Sequence, residues 1–242
     1  MSSKEKIIPL DKFINQALYD PKNGFYMKKN PFGEKGDFIT SPSISILFAE
    51  MISIWTVLFW KKLNSPKKIN LIELGSGNGQ MFCDMINSFK SFPKFNKSCN
   101  FIILEKSPYL KKIQKSKLKN FKVKWIKNLS EVKKGNNIFL ANEFFDALPI
   151  NQYISKNGAW HERNINYKNY NLHFEIGKKI RLPLTTNPNP EGKIIEDGIV
   201  AKSIMKQICN KILKNSGALI IIDYGQLDEY FIERNTIQGV LK

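Results

Sequence analysis

A glycine-rich segment between an apolar strand pattern and a helix pattern constrains this chain more than any other feature. Residues 71–79 read Leu-Ile-Glu-Leu-Gly-Ser-Gly-Asn-Gly, with glycine at the alternate positions Gly75, Gly77 and Gly79. Glycine lets the backbone turn tightly and lets a ligand lie against it, because there is no Cβ to clash. The helix that follows offers free N–H groups and a partial positive charge. A plain turn needs one glycine, so three predict a ligand-binding loop.

The spacing of these glycines favours one class of ligand over another. A dinucleotide-binding loop has the pattern G-x-G-x-x-G, and Gln80 stands where its third glycine should be. The pattern after Glu73 is instead the E-x-G-x-G-x-G of methyltransferases, in which the carboxylate can meet the ammonium group of an amino-acid moiety. We therefore expect S-adenosyl-L-methionine as the cofactor, with Ser76 and Asn78 among the residues that bind it.

The pattern along the chain predicts an α/β fold. Apolar strand patterns alternate with helix patterns, the strands at 69–73, 101–105, 123–126, 138–141 and 217–223, and the helices at 80–89, 108–118 and 199–213. This βαβ rhythm predicts a Rossmann-like, doubly wound and mostly parallel sheet. The fifth strand pattern lies so near residue 242 that we expect the sheet to be truncated at the C-terminus.

Two regions depart from this rhythm. We expect residues 1–64 to form an N-terminal helical lobe, with a helix over 43–61 that begins at the N-cap Ser41, and residues 65–242 to form the cofactor domain. Strand patterns at 152–155, 159–165 and 171–176 predict an antiparallel, β-rich insertion at about 151–197.

The ends of the second and fourth strands carry polar residues that should share one crevice. Glu105 follows the second strand, where an acid sits over the switch point and accepts the ribose hydroxyls. Asn142, Glu143 and Asp146 follow the fourth strand beside Phe144. Two acids and an amide next to aromatic rings suit a cationic or amide nucleophile, although Asp146 fits a helix cap equally well.

Composition argues against several classes of function. Of 38 basic residues only three are arginine, so the net charge of +17 indicates a lysine-rich solvated surface rather than a nucleic-acid footprint. The three cysteines form no close pair, which leaves no zinc or redox motif and fits a reducing compartment. No segment has the length and apolarity of a membrane span, and residues 1–10 lack a secretory or mitochondrial presequence pattern.

Several sequence blocks, in order, are similar to those of a known family. They are Tyr19-Asp20-Pro21, Gly24-Phe25-Tyr26, Gly36-Asp37-Phe38-Ile39-Thr40-Ser41-Pro42, Phe48-Ala49-Glu50, the glycine loop, residues 141–149 and Ile222-Asp223-Tyr224-Gly225. Together they resemble the MidA-like family of class I methyltransferases, which includes mitochondrial complex I assembly enzymes that methylate a protein arginine. Members of that family continue well past residue 242.

The resemblance implies a methyltransferase acting on protein arginine, such as one on a respiratory complex I subunit. Glu143 and Asp146 are then the catalytic residues. From the cysteine pattern we expect no metal site. Asn142 joins the cofactor residues, and by the usual course of this fold the adenine lies near Asn128 and Leu129. The implied substrate residues are Asp37, Thr40, Ser41, Glu50 and Phe144.

Other interpretations stay open at this stage. The net charge favours a nucleic-acid methyltransferase, although an Asn-Pro-Pro-aromatic signature is absent after the fourth strand. A non-catalytic assembly factor that retains the cofactor fold is a second alternative. We expect a cytoplasmic location, with the mitochondrial matrix as the alternative if a presequence has been removed. An open sheet edge also favours a homodimer.

Overall fold

The structure is a computed structural model that describes residues 5–28, 31, 45–168, 171–181 and 191–223. Contacts between Cα atoms divide the chain into two compact units. One unit comprises residues 21–146 and 204–223, and the other comprises residues 1–20, 147–203 and 224–242. Residue 64 is not a boundary of these units, and the division at residues 64 and 65 stays a prediction.

The first of these units contains a parallel sheet. Its described strands are β2 (Ile69–Leu74), β3 (Cys99–Leu104), β4 (Val123–Ile126), β5 (Asn136–Asn142) and β10 (Gly217–Ile222), in the spatial order β10-β5-β2-β3-β4. Every described pair in this sheet is parallel. The order reverses between β2 and β5, which makes the carboxyl ends of these strands the edge where such folds bind ligands.

Helices connect and cover these strands. They are α2 (Phe25–Lys28), α3 (Ile46–Lys62), α4 (Gln80–Ser88), α5 (Pro93–Ser98), α6 (Pro108–Lys117) and, from residue 204 onward, α7 (Ile199–Asn215). All six residues of β2 are buried, because the central strand has protein on both faces. Phe82 and Phe89 fill the core on one face of the sheet, and Ile72, Phe139 and Ile208 fill it on the other.

A row of asparagines fixes the register of the three central strands. Asn70 on β2 lies opposite Asn137 on β5 and Asn100 on β3. Asn70 Nδ2 donates to Asn137 Oδ1 at 2.9 Å, and Asn100 Nδ2 donates to Asn70 Oδ1 at 3.1 Å. A shift of one residue would leave the buried amides of Asn70 and Asn137 without these partners, so the row favours a single alignment.

The other unit contains an antiparallel sheet. Its described strands are β1 (Lys6–Pro9), β6 (Asn151–Lys156), β7 (Ala159–Lys168), β8 (Asn171–Ile180) and β9 (Ile194–Asp197), and α1 (Leu10–Tyr19) belongs to the same unit. β7 is long enough to pair with β6 through its first half and with β1 through its second half. β8 pairs along β7, and β9 pairs with β6.

The predicted α/β class and Rossmann-like fold are confirmed, and the insertion is antiparallel as expected. The first long helix begins at Ile46 rather than at residue 43, because Ser45 is extended and its Oγ accepts from the Leu47 amide. The expected cap, Ser41, lies outside the described residues. Within those residues, no helix combines the length and the apolar content that a membrane crossing requires.

Candidate functional site

The glycine loop turns sharply between β2 and α4. Gly75, Gly77 and Gly79 all have positive φ angles, of 62°, 52° and 80°. These left-handed conformations explain why the alternate positions are glycine. The turn is held by the Gly79 amide, which donates to the Ser76 carbonyl at 2.7 Å, and by Asn78 Oδ1, which accepts from the Gln80 amide at 2.9 Å.

Glu73 lies immediately before this loop and is almost completely buried, with 3% of its surface exposed. Its carboxylate accepts a hydrogen bond from the Ser76 hydroxyl. Burial raises the pKa of Glu73, the Ser76 bond lowers it and the charge of Glu105 adds a smaller rise, and the net result is a pKa of about 7. A carboxyl with this pKa is ready to ionise at neutral pH when a cation approaches.

Glu105 follows β3 and is also buried. Its Oε1 accepts from the Ser107 amide and its Oε2 from Gln114 Nε2, both at 2.8 Å. Burial raises the pKa of Glu105, and these hydrogen bonds oppose that rise. The structure thus brings Glu73 and Glu105 together at the carboxyl edge of neighbouring strands.

Gln114 on α6 is a residue of this site that sequence analysis did not identify. Its side chain is completely buried. Besides Glu105, its Nε2 donates to the Gly77 carbonyl at 2.9 Å, and its Oε1 accepts from Trp125 Nε1 at 3.0 Å. Gly79 is part of the same packing, because a Cβ there would lie 3.4 Å from Gln114 Cγ. Gln114 therefore joins the glycine loop, the acid after β3, and β4.

The segment after β5 approaches the glycine loop. The Phe144 ring lies so close to Gly75 that a Cβ on Gly75 would come within 2.8 Å of Phe144 Cδ2. Glu143 has a positive φ of 47°, which is strained for a residue with a side chain, and its amide donates to the Ile222 carbonyl at 2.8 Å. The Asp146 amide donates to Asp223 Oδ2 at 3.2 Å. Strain of this kind is found at sites whose geometry serves binding or chemistry.

Asn142, the last residue of β5, supplies a direct indication of a ligand. Its Oδ1 is buried, and among the described residues no donor reaches it. A buried acceptor without a partner is costly unless a bound group completes it. S-adenosyl-L-methionine carries an ammonium group and two ribose hydroxyls. These groups can donate hydrogen bonds to the side-chain oxygens of Asn142, Glu73 and Glu105. The residues present therefore fit this cofactor.

The remaining predicted site residues make no described contact with the glycine loop, Glu73 or Glu105. Asn128 caps a short 3-10 helix, Leu129–Glu131, and Leu129 is buried in the core, so both have structural roles here. The adenine position stays a prediction. Glu50 is half-buried on α3, and its role in substrate binding stays a prediction. Asp37, Thr40 and Ser41 lie outside the described residues.

No group of three or more His, Cys, Asp or Glu side chains is arranged to hold a metal ion within the described part of the chain. The groups gathered at the carboxyl edge are carboxylates, amides and backbone N–H groups. These bind cations and hydroxyls directly, and they suit an organic ligand with an amino-acid end.

Replacing Gln114 with leucine tests whether this residue holds the site together. Gln114→Leu leaves the Gly77 carbonyl, the Glu105 carboxylate and the Trp125 N–H without their shared partner. We expect the free energy of unfolding to fall by at least about 2 kcal/mol. We also expect the affinity for S-adenosyl-homocysteine, measured by calorimetry, to fall about tenfold or more, because the loop loses its support.

Gln207→Leu is the matched control, because Gln207 is exposed on α7. It makes the same chemical change and should leave both quantities unchanged. A Gln114→Leu protein that binds the product as tightly as wild type would show that the glycine loop keeps its shape without this amide.

The raised pKa of Glu73 predicts a pH dependence of ligand binding. If the carboxylate meets the ammonium group, binding requires the ionised form, which grows as pH rises through about 7. Affinity for S-adenosyl-homocysteine should therefore increase about tenfold between about pH 6 and about pH 8. Glu73→Gln cannot ionise, so calorimetry across this range should show weaker binding with a much flatter pH dependence.

The raised pKa of Glu73 has the opposite effect on the stability of the ligand-free protein, which falls as pH rises. The unfolded chain releases this proton near 4.5, the ordinary value, and the folded chain near 7. The contribution of Glu73 to stability is therefore greatest below 4.5 and is lost as pH rises to about 7. Glu73→Gln should remove this pH-dependent loss of stability in the ligand-free protein. If the free energy of unfolding, measured against pH, follows parallel curves in wild type and variant, the assigned pKa is contradicted.

Comparison with known proteins agrees with this geometry. Residues 51–242 match the model of a family described as "Putative S-adenosyl-L-methionine-dependent methyltransferase". The chain is 30% identical over 254 residues to a protein named protein arginine methyltransferase NDUFAF7, mitochondrial, from Xenopus tropicalis, and the match covers 92% of this chain and 58% of that protein. The human protein of that name is 27% identical, with coverage of 90% and 56%.

Solved structures show the same fold. A protein from Burkholderia thailandensis, crystallised with S-adenosyl-homocysteine, aligns with a TM-score of 0.68 at 19% identity, over 85% of this chain and 55% of its own. A native structure from the same organism aligns with a TM-score of 0.72 at 20% identity, over 96% and 61%.

The family match covers most of the chain, whereas the chain itself spans less than two thirds of the length of these curated relatives. The match identifies the cofactor as S-adenosyl-L-methionine, which the buried acceptors at the carboxyl edge fit. The chain belongs to this family of S-adenosyl-L-methionine-dependent methyltransferases, the MidA-like family that its sequence blocks resemble.

Proposed function

We propose that this chain transfers a methyl group from S-adenosyl-L-methionine to an arginine of a protein substrate. The observation that carries this proposal is the strained Glu143 at the end of β5, together with Asp146, on the edge that also holds Glu73 and Glu105. The relatives named as protein arginine methyltransferases support the choice of acceptor. A cationic acceptor suits an acidic site better than it suits the basic surface of the chain.

The chemistry of an arginine acceptor explains why carboxylates are needed. The cofactor supplies an electrophilic methyl group on a sulfonium, which is already a good leaving group. The guanidinium has a pKa above about 12, and its charge is delocalised, so its nitrogen is a weak nucleophile. Glu143 can bind the guanidinium, localise its positive charge away from the attacking nitrogen, and hold that nitrogen in line with the methyl group.

The backbone around Glu143 suits this task. Its amide is bonded to Ile222 on β10, which fixes the left-handed conformation that the side chain alone would disfavour. Phe144 and Phe145, the next two residues, meet edge to face at 5.3 Å. Glu143 is half-buried, and partial removal of a carboxylate from water strengthens its attraction to a guanidinium. Asp146 is the second proposed catalytic acid, and Asp223 fixes the backbone on which it stands.

The biological context forms part of the proposal. The resemblance suggests a subunit of respiratory complex I as the substrate protein. The curated relatives are named as mitochondrial proteins, so they support the mitochondrial alternative rather than the predicted cytoplasmic location. A homodimer formed along the sheet edge stays a prediction.

Replacing Glu143 with glutamine tests the catalytic proposal. Glu143→Gln preserves shape and backbone strain but removes the negative charge that the transition state needs. We expect methyl transfer to fall about 100- to 1,000-fold, the scale seen when one preorganised electrostatic partner is removed. Affinity for S-adenosyl-homocysteine should change little, because the glycine loop and Glu105 are untouched. Mass spectrometry of methylated arginine in a cell extract, alongside calorimetry, measures both.

Glu162→Gln is the control, because Glu162 is a carboxylate on β7, in the other compact unit, to which the proposal gives no role. A purely structural Glu143 predicts a lower melting temperature in Glu143→Gln with full activity per folded molecule. A cofactor-binding assembly factor predicts no methylated arginine from either protein, and a nucleic-acid enzyme predicts methylated RNA or DNA instead. Undiminished arginine methylation by Glu143→Gln would remove the basis of the proposal.

A further inference from the structure

The outward face of α3 is apolar, which is the reverse of the arrangement that a helix next to water normally has. Every exposed residue of α3 between residues 46 and 60 is apolar. Single exposed apolar residues are common on protein surfaces, but a contiguous set on one helix is not. These residues are 50% to 70% exposed, and they are Ile46, Leu47, Met51, Ile54 and Leu58.

The opposite face of the same helix is packed and partly polar. Ala49, Val57 and Trp60 are buried in the core on one side of the parallel sheet. Ser53 and Thr56 are completely buried as well, and each hydroxyl donates at 2.7 Å to the backbone carbonyl four residues earlier. The core therefore fixes the rotation of α3 about its axis and leaves the apolar residues facing outward.

Four of the exposed residues are spaced by four, three and four positions, which places them on one face of the helix. This apolar stripe consists of Leu47, Met51, Ile54 and Leu58. Lys61 and Lys62 take the next positions on that face, three and four residues after the last member of the stripe, and both are exposed. Lys67 and Lys68, also exposed, follow before β2. The stripe thus ends in a group of lysines.

The chemistry of the stripe favours a lipid surface over a protein as its partner. A protein interface carries about one hydrogen bond per 100–200 Å². Leucine, isoleucine and methionine supply no strong hydrogen-bonding group, so the stripe has nothing to fix the register of a protein partner. A lipid surface needs no such register, because hydrocarbon takes up the apolar side chains and anionic headgroups attract the lysines. A second copy would instead bring together two chains with a net charge of +17 each.

We propose that the apolar stripe of α3 docks this protein on an anionic membrane surface, with Lys61 and Lys62 at the level of the lipid headgroups. An interfacial helix lies in the plane of the membrane and enters only the boundary between headgroups and acyl chains. The long stems of the lysines pack along the acyl chains while the ammonium groups reach the headgroups. Trp55 is half-buried and stacked on Phe59 at 5.5 Å, and tryptophan favours the membrane interface. Docking adds a location to the proposed methyl transfer and does not depend on its acceptor.

Sedimentation of the full chain with lipid vesicles tests the proposal. Vesicles of phosphatidylcholine and phosphatidylglycerol in equal parts should bind the wild-type protein about tenfold or more tightly than vesicles of phosphatidylcholine alone. Leu58→Gln should weaken binding to the anionic vesicles about threefold or more, and Met51→Gln together with Leu58→Gln about tenfold or more. Leu213→Gln is the matched control, because Leu213 is 83% exposed on α7 and lies outside the stripe. It should bind as wild type does.

Removal of charge tests the lysines separately. Lys61→Gln combined with Lys62→Gln should weaken binding to the anionic vesicles about tenfold or more, because each lysine next to an anionic surface contributes about fivefold. Lys112→Gln combined with Lys119→Gln removes the same charge from two exposed lysines of the same compact unit. This control pair should weaken binding less than about threefold, because those lysines lie outside the proposed docking surface.

The outcomes separate docking through α3 from attraction by net charge alone. Equal losses from the two lysine pairs, with no loss from Leu58→Gln, would overturn the proposal, because the net charge would then explain the binding. No binding to either vesicle also overturns it, and analytical ultracentrifugation of wild type and Leu58→Gln then shows whether a second copy covers the stripe. All the substituted residues are exposed, so melting temperatures should stay near that of wild type. Binding lost only in proportion to unfolded protein would overturn the assignment to α3.

Discussion

The central strand β2 is buried along its whole length, and this burial determines where polar chemistry can occur in the parallel sheet. Side chains in the middle of such a strand must be apolar, because a buried charge without partners is very costly. Polar groups are therefore confined to the strand ends, where loops and helix termini supply hydrogen bonds. At the amino ends these groups are asparagines that satisfy one another, and at the carboxyl ends they are carboxylates.

The two ends differ in how completely their polar groups are satisfied. The asparagine row is joined by amide hydrogen bonds that fix the register, and its two buried members, Asn70 and Asn137, both have hydrogen-bond partners. At the carboxyl edge, Glu73 has a pKa raised to about 7 and Asn142 Oδ1 has no donor among the described residues. Folding alone would favour apolar or neutral residues at these positions. The ammonium and hydroxyl groups of the cofactor would supply the charge and the hydrogen-bond donors that these residues lack, which explains why polar residues stand at these buried positions.

The elements that sequence patterns predict well are those whose cause is local. The glycines of the loop adopt positive φ angles, and the apolar strand runs became buried strands, because backbone freedom and alternation are visible in adjacent residues. The sequence predicts too early a start for α3, because Ser41 has the residue type of a good cap and local sequence does not show that Ser45 makes the capping hydrogen bond. The pairing of β1 with β7 joins segments about 160 residues apart, and no local pattern encodes it.

Residues that act through tertiary contacts were missed for the same reason. In the sequence, Gln114 is one polar residue on a lysine-rich helix and does not stand out. Its position four residues after Leu110, which is buried, indicates that it lies on the same inward face. Asp223 entered only as part of a family block, because nothing near it in sequence indicates that its carboxylate accepts from the Asp146 amide. Glu105 and Glu143 were identifiable, since each comes at the end of an apolar strand run.

The central claim is that the carboxyl edge binds the amino-acid and ribose parts of S-adenosyl-L-methionine rather than a dinucleotide. Calorimetric titration of the wild-type chain with S-adenosyl-homocysteine and with NAD tests it most directly. The account predicts clear binding of S-adenosyl-homocysteine and no measurable binding of NAD, because Glu73 repels a pyrophosphate and attracts an ammonium group. Tighter binding of NAD than of S-adenosyl-homocysteine would contradict it.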